Sequence, residues 1–236
     1  PSVGGVVANT LYSVTNCNNY GKVNVEGVWS AASEAGLTRA GGTNQAVFGG
    51  VVGFAGVLEV SDEYSVAGCN NYGEVNVLNY CKAGGGTHAY LGGVIGGANI
   101  LVDDCHNYGK LNLQTYTNRA WFGGVLGYSK SDIENCTNES DEVTFTVLNI
   151  TKAGASAMGG VVGQAGIINN CHGNGNVKFV AEDGAFGGET LYTSGVAGYA
   201  SKGIGYSTFS ANVTLDVKKD IQASVRCAGV VGQVIT

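Results

Sequence analysis

Proline is nearly absent from this 236-residue chain, occurring only as Pro1. That excludes a collagen-type triple helix despite 40 glycines, because collagen needs glycine at every third position together with abundant proline. Charge is scarce too. Asp, Glu, Lys and Arg make up 13% of the residues, the formal net charge is −6, and Lys218-Lys219 is the densest basic point. Nucleic-acid binding by phosphate neutralisation has too few cations to draw on. No apolar run approaches the roughly 18–20 residues of a bilayer-spanning helix. There is no initiating methionine, and Pro1 leads directly into a repeat. The sequence therefore reads as a piece of a longer protein from which any targeting segment has been removed.

What is present is patterned. Hydrophobic residues make up 44% of the chain and fall in regular clusters, which argues against disorder. Nothing forces a division, so residues 1–236 are expected to form a single repeat domain. One element recurs as Gly4-Gly5-Val6-Val7, Gly49-Gly50-Val51-Val52-Gly53, Gly92-Gly93-Val94-Ile95-Gly96, Gly123-Gly124-Val125-Leu126-Gly127 and Gly159-Gly160-Val161-Val162-Gly163. Weaker copies follow at Ser194-Gly195-Val196-Ala197-Gly198 and Ala228-Gly229-Val230-Val231-Gly232. A second element trails it: Asn16-Cys17-Asn18-Asn19-Tyr20-Gly21, Gly68-Cys69-Asn70-Asn71-Tyr72-Gly73, Asp104-Cys105-His106-Asn107-Tyr108-Gly109, then Asn135-Cys136-Thr137-Asn138 and Asn170-Cys171-His172-Gly173. Ser207 replaces cysteine in the sixth copy, and an insertion around Ser61 to Ser65 delays the second.

The third element alternates with period two, the mark of a half-buried strand. It reads Lys22-Val23-Asn24-Val25, Glu74-Val75-Asn76-Val77, Lys110-Leu111-Asn112-Leu113, Glu142-Val143-Thr144-Phe145, Asn176-Val177-Lys178-Phe179 and Asn212-Val213-Thr214-Leu215. One extra residue precedes the fourth copy and predicts a bulge.

No segment shows a 3.6-residue apolar stripe. A single copy cannot bury its apolar side, but stacked copies can. The expected fold is all-β: a parallel β-helix, or β-solenoid, of about six and a half coils of roughly 31–45 residues, with three short strands per coil. The approximate repeats are 4–48, 49–91, 92–122, 123–158, 159–193, 194–227 and a partial 228–236. Such a stack makes a rod roughly 30 Å long at one strand spacing per coil. In register it places Lys22, Glu74, Lys110 and Glu142 one above another, alternating in sign, as neighbouring strands prefer.

Gly-Gly-Val-Val-Gly followed by Asn-Cys-x-Asn-x-Gly-x-Val resembles the GLUG repeat, over nearly the whole chain outside the excursions between copies. Here Val or Ile stands in place of the usual Leu after the glycine pair, and the sixth copy lacks both Gly-Gly and Cys. The resemblance implies a secreted or surface-attached bacterial protein, adhesin-like, with a β-helical stalk or binding surface and no catalytic residues.

The cysteines are the most tempting chemistry. Cys17, Cys69, Cys105, Cys136 and Cys171 share one repeat position and read as an interior ladder of reduced thiols. Stacked Cβ atoms about 4.8 Å apart do not suit a relaxed disulfide, and a straight column does not surround a zinc ion. Cys81 and Cys227 fall off this column. His106 and His172 lie two coils apart, too far for one metal, and no cofactor or metal is expected. The glycines form no phosphate loop, since no helix or Lys-Ser/Thr follows them. Carboxylates for a polysaccharide-cleaving β-helix would come from Asp62-Glu63, Asp103-Asp104 or Glu139 to Glu142, which occupy different repeat positions. Asn-x-Ser/Thr matches at Asn135, Asn138, Asn149 and Asn212 matter only in a eukaryotic secretory pathway.

Recognition by aromatic residues on surface excursions fits better. Trp29, Tyr80, Tyr90, Tyr116 and Trp121 are the expected contact residues, for a glycan or a host or surface protein. Tyr20, Tyr72 and Tyr108 are expected to stack at one corner. The function expected is a non-catalytic extracellular or cell-surface module, structural or adhesive. The alternatives are a polysaccharide-active β-helix enzyme and a solenoid that self-associates end to end into fibres.

Overall fold

The computed structural model describes residues 2–30, 45–56, 60–82, 88–117, 119–149, 155–182, 187–218 and 222–235. Every regular element among them is a strand, and every strand pair is parallel and links one coil to the next. The chain is a parallel β-solenoid, with six coils and the start of a seventh.

Each coil is divided more finely than the three strands expected. In the third coil the segments are His88–Gly92, Ile95–Ala98, Ile100–Asp103, His106–Asn107 and Leu111–Tyr116. In the fifth and sixth coils the second and third segments merge, as Val162–Asn169 and Ala197–Gly205. The extra breaks arise because the Gly-Gly-Val and Asn-Cys elements are themselves corners, each with strand on both sides.

The residue before the column cysteine explains one corner. Asn16, Asp104, Asn135, Asn170 and Tyr206 have φ between 47° and 55°, and Gly68 has φ 63°. This is the left-handed region that Gly, Asn and Asp tolerate best. The sequence element is therefore a backbone requirement repeated in every coil.

The asparagine after it forms a buried ladder. Asn19 Nδ2 donates to Asn71 Oδ1 (2.8 Å), Asn71 to Asn107 (2.9 Å) and Asn107 to Asn138 (2.9 Å). The same amides close the next turn by donating to the carbonyls of Gly21, Gly73 and Gly109. Asn71, Asn107 and Asn138 are fully buried, so Asn138 is closed to glycosylation in the fold. The ladder stops where Gly173 and Phe209 take this position, and Asn138 Nδ2 is left without a partner among the described residues.

The second glycine of each pair meets that ladder. A β-carbon at Gly124 would collide with the carbonyl oxygen of Gly160 and come within 2.6 Å of Asn138 Cγ. Absence of a side chain thus lets the chain fold inward and lets successive coils approach. The indentation divides the interior into two apolar lobes. One holds Val51, Ile95, Leu126, Val102 and Ile133 together with Cys69, Cys105, Cys136 and Cys171. The other holds Val75, Leu113, Phe122, Phe145 and Phe179. Its phenyl rings meet at a tilt, Phe122 across the lobe from Phe145 at 5.4 Å and Phe145 against Phe179 of the next coil at 5.7 Å.

The charge row registers as expected. Lys22 Nζ lies 3.0 Å from Glu74 and Lys110 Nζ lies 2.7 Å from Glu142. The extra residue of the fourth copy makes no bulge in a ladder. It is absorbed in the turn from Glu139 to Glu142, between Thr137–Asn138 and Val143–Asn149, with Ser140 buried there. The second-coil insertion does interrupt a ladder: Ile100 pairs Ser61 while the adjacent Leu101 pairs Ser65.

Candidate functional site

Where the glycine pair folds inward, the outer faces of the two flanking strands turn toward each other. The residue two positions before the pair's first glycine then faces the residue seven positions further on. In successive coils these pairs are Ser2 and Asn9, Val47 and Phe54, Tyr90 and Gly97, Trp121 and Tyr128, Ala157 and Gln164, Tyr192 and Tyr199, Arg226 and Gln233. The result is a third apolar cluster, outside the solenoid, running along the rod in this corner.

Packing in the corner alternates large with small. Gly97 leaves room for Phe54 and Tyr90, since a β-carbon there would sit 3.0 Å from Phe54 and 3.3 Å from Tyr90. Tyr90 stacks on Tyr128 at 4.5 Å and 13°. Trp121 meets Tyr128 edge to face at 5.4 Å and donates its indole N–H to Gln164 Oε1 (2.7 Å). Tyr192 and Tyr199 pack at 5.8 Å. Burial raises the pKa of Tyr128, and burial followed by the neighbouring Tyr192 raises that of Tyr199, so both phenols stay protonated donors. His88 borders the cluster, edge-on to Trp121 at 5.2 Å. Burial and then the charge of Arg119 lower its pKa to about 4, so it is neutral at pH 7.

The expected contact residues separate here. Tyr90 and Trp121 were expected to be exposed on excursions, but they are strand residues only 4% and 6% exposed. Their rings face outward into a corner that neighbouring coils close. Tyr116 is half-buried at the end of a strand in the long alternating ladder. Trp29 and Tyr80 lie in that ladder's strands by backbone, and their side chains fall outside the described residues, as does that of Cys81. The structure thus brings together Tyr90 and Trp121 and adds Tyr128, Gln164, Tyr192 and Tyr199. The seven-residue offset across Gly-Gly-Val was the sequence signal for these additions.

The remaining candidates serve the stack. Cys69, Cys105, Cys136 and Cys171 are fully buried and Cys17 partly so, and none forms a disulfide. Cys105 Sγ donates to the Asp103 carbonyl (3.2 Å) and Cys136 Sγ to that of Glu134 (3.1 Å). Hydrogen bonding to Cys105 together with burial pushes the Cys69 thiol well up, and burial does the same to Cys136. Such thiols are poor nucleophiles. Cys227 is exposed. Asp103 accepts from Asn135 (2.8 Å), Asp104 faces His106 (3.0 Å), Glu139 accepts from Asn174 (2.8 Å) and Glu142 pairs with Lys110. These carboxylates tie coil to coil or turn to strand. No group of three His, Cys, Asp or Glu converges among the described residues.

Tyr20, Tyr72 and Tyr108 stack face to face at 4.8 and 4.9 Å, and are 73%, 43% and 45% exposed. Tyr72 has both faces covered by its neighbours, and Tyr20 and Tyr108 each have one face on Tyr72. No protein-family model, curated protein or solved structure matches the chain.

Proposed function

We propose that this protein is a non-catalytic module of a bacterial cell-surface or secreted protein, with a GLUG-like repeat, in which the rod acts as stalk and the outer corner as an adhesive face. The supporting observation is the corner itself. A buried asparagine ladder ties the first four coils, and on that frame one groove gathers aromatic rings and amides along the axis. Aromatic rings with a polar edge supply contact area at low entropic cost, which suits them to recognition surfaces. Of the acidic residues that a hydrolase could use, Asp103, Glu139 and Glu142 are engaged in holding the stack.

The test is a screen of immobilised glycans and extracellular-matrix proteins with the purified chain. Saturable binding that Tyr128→Ala weakens, at unchanged circular dichroism, supports the reading. Release of reducing ends from any polysaccharide of the panel, abolished by one carboxylate substitution, overturns it in favour of the enzymatic alternative.

A further inference from the structure

The outer corner is not uniform along the rod. From the second coil to Trp121 it is sealed, with Val47, Phe54, Tyr90 and Trp121 at most 6% exposed, whereas in the first coil Ser2 is half-buried and Asn9 exposed. Its second half is open. Tyr128, Gln164, Tyr192 and Tyr199 are half-buried, and Arg226 is exposed beyond them. Resting on the adhesive reading above, we propose that this open half binds a polysaccharide bearing carboxylate groups, with Arg226 as the anion contact.

Charge selects the ligand. The protein is acidic overall, yet neither row of paired positions in the corner contains an Asp or Glu in any coil. On the other faces, Lys22, Lys110, Lys178, Lys202 and Lys218 each sit against a carboxylate. Arg226 does not. Its guanidinium lies 5.5 Å from the Tyr192 ring centroid, and a hydrogen bond to the Gln233 side-chain oxygen holds it there. A guanidinium held near an aromatic ring by a side-chain hydrogen bond, on an exposed residue, can bind a planar carboxylate through two parallel hydrogen bonds. A single such cation suits a singly charged group better than a densely sulfated chain.

The rest of the half supplies the sugar contacts. Tyr128, Tyr192 and Tyr199 bring half-buried aromatic rings with phenolic hydroxyls to this half. Gln164 spends its oxygen on Trp121 and has an amide N–H₂ with no partner among the described residues. A chain of hydroxylated rings laid along the groove meets aromatic surface and a hydrogen-bond donor in neighbouring coils, and its acid group reaches Arg226.

The probe is polygalacturonate, with the fully methyl-esterified polymer as a control of the same backbone without charge. Isothermal titration of the whole chain is expected to show binding to the acid form at least about 10-fold tighter than to the ester, with affinity falling as salt rises. Arg226→Gln is expected to remove that preference. Gln233→Glu, which sets a carboxylate against the guanidinium without changing shape, is expected to do the same. Lys110→Gln, on the charge row outside the corner, is expected to leave affinity unchanged. Equal affinity for acid and ester, an acid preference that survives Arg226→Gln, or no binding of either polymer overturns this assignment. If glycan or matrix-protein binding in the screen persists through Arg226→Gln, the adhesive reading stands and only the acidic-ligand assignment fails. Absence of any binding in both experiments removes both.

Discussion

The inner lobes and the outer corner are built from the same strands, one residue apart, and obey different rules. Some interior rows barely change, as with Val75, Leu111, Val143 and Val177 or Cys69, Cys105, Cys136 and Cys171, while others, such as Phe48, Leu91, Phe122 and Met158, stay apolar but vary in size. Along the corner row the residue type changes at every step, from Val47 to Tyr90, Trp121, Ala157, Tyr192 and Arg226. The interior must stay filled, so its rows are held almost throughout to apolar side chains. In the corner a ring can lean over the next coil, as Trp121 does to reach Gln164, provided that coil offers a small residue such as Ala157. That freedom makes the corner the place where a repeat protein can vary a surface without disturbing its stack.

The largest expected effects test the interior half of this contrast. Phe145→Ala opens a cavity between the fully buried Phe122 and Phe179, and is expected to destabilise by about 3–5 kcal/mol. Asn107→Ala should be comparable, at roughly 3–5 kcal/mol, because it strips a buried amide hydrogen bond from both Asn71 and Asn138 and uncovers the Gly109 carbonyl. Tyr199→Ala, in the half-open corner, is expected to cost about 1–2 kcal/mol. Midpoints of urea unfolding followed by circular dichroism measure all three. A Tyr199→Ala loss equal to that of Phe145→Ala would show the corner to be as tightly constrained as the core.

The same contrast determines what could be read from the sequence. Repetition exposes whatever the fold holds constant, so the solenoid, its order of stacking and the Lys22–Glu74 and Lys110–Glu142 pairing were legible. The corner was not, because Val47, Tyr90 and Trp121 look unrelated until their common offset from the glycine pair is known. Tyr90 and Trp121 were read as surface aromatics because they stand next to variable excursions. Their burial depends on Tyr128 and Gly97, which belong to other strands. The asparagines were visible as a motif, yet motif spacing does not show that Asn16 answers a backbone angle while Asn19 answers a hydrogen-bond ladder.

An intermediate effect comes from His88, which joins the corner to pH. Its folded pKa of about 4, set first by burial and then by Arg119, lies below the ordinary value of 6.5. The unfolded chain therefore binds a proton that the folded chain refuses as pH falls through that interval. Stability from this group is complete above about pH 6.5 and declines as pH falls toward 4, by roughly 2 kcal/mol at pH 5. His88→Gln should flatten the dependence of the urea midpoint between pH 7 and 5. An unchanged slope would mean that the corner around His88 admits water.

The smallest expected effect is a gain, and it sharpens the claim that interior corners are set by backbone geometry. Five coils place Asn, Asp or Gly in the left-handed position before the column cysteine or its equivalent, but the sixth places Tyr206 there at φ 47°. The tyrosine ring is 87% exposed, so it contributes little packing in exchange for the strained angle. Tyr206→Asn restores the residue found in three other coils and should stabilise the sixth coil by about 1 kcal/mol. Because solenoid coils are coupled mainly to their neighbours, the gain should appear as slower amide exchange in Thr208–Phe209 and Val213–Val217, with little change in the first two coils. Equal protection in the two proteins would mean that Tyr206 contributes a contact offsetting its strain. The position would then be governed by surface packing, as in the outer corner, and not by the backbone.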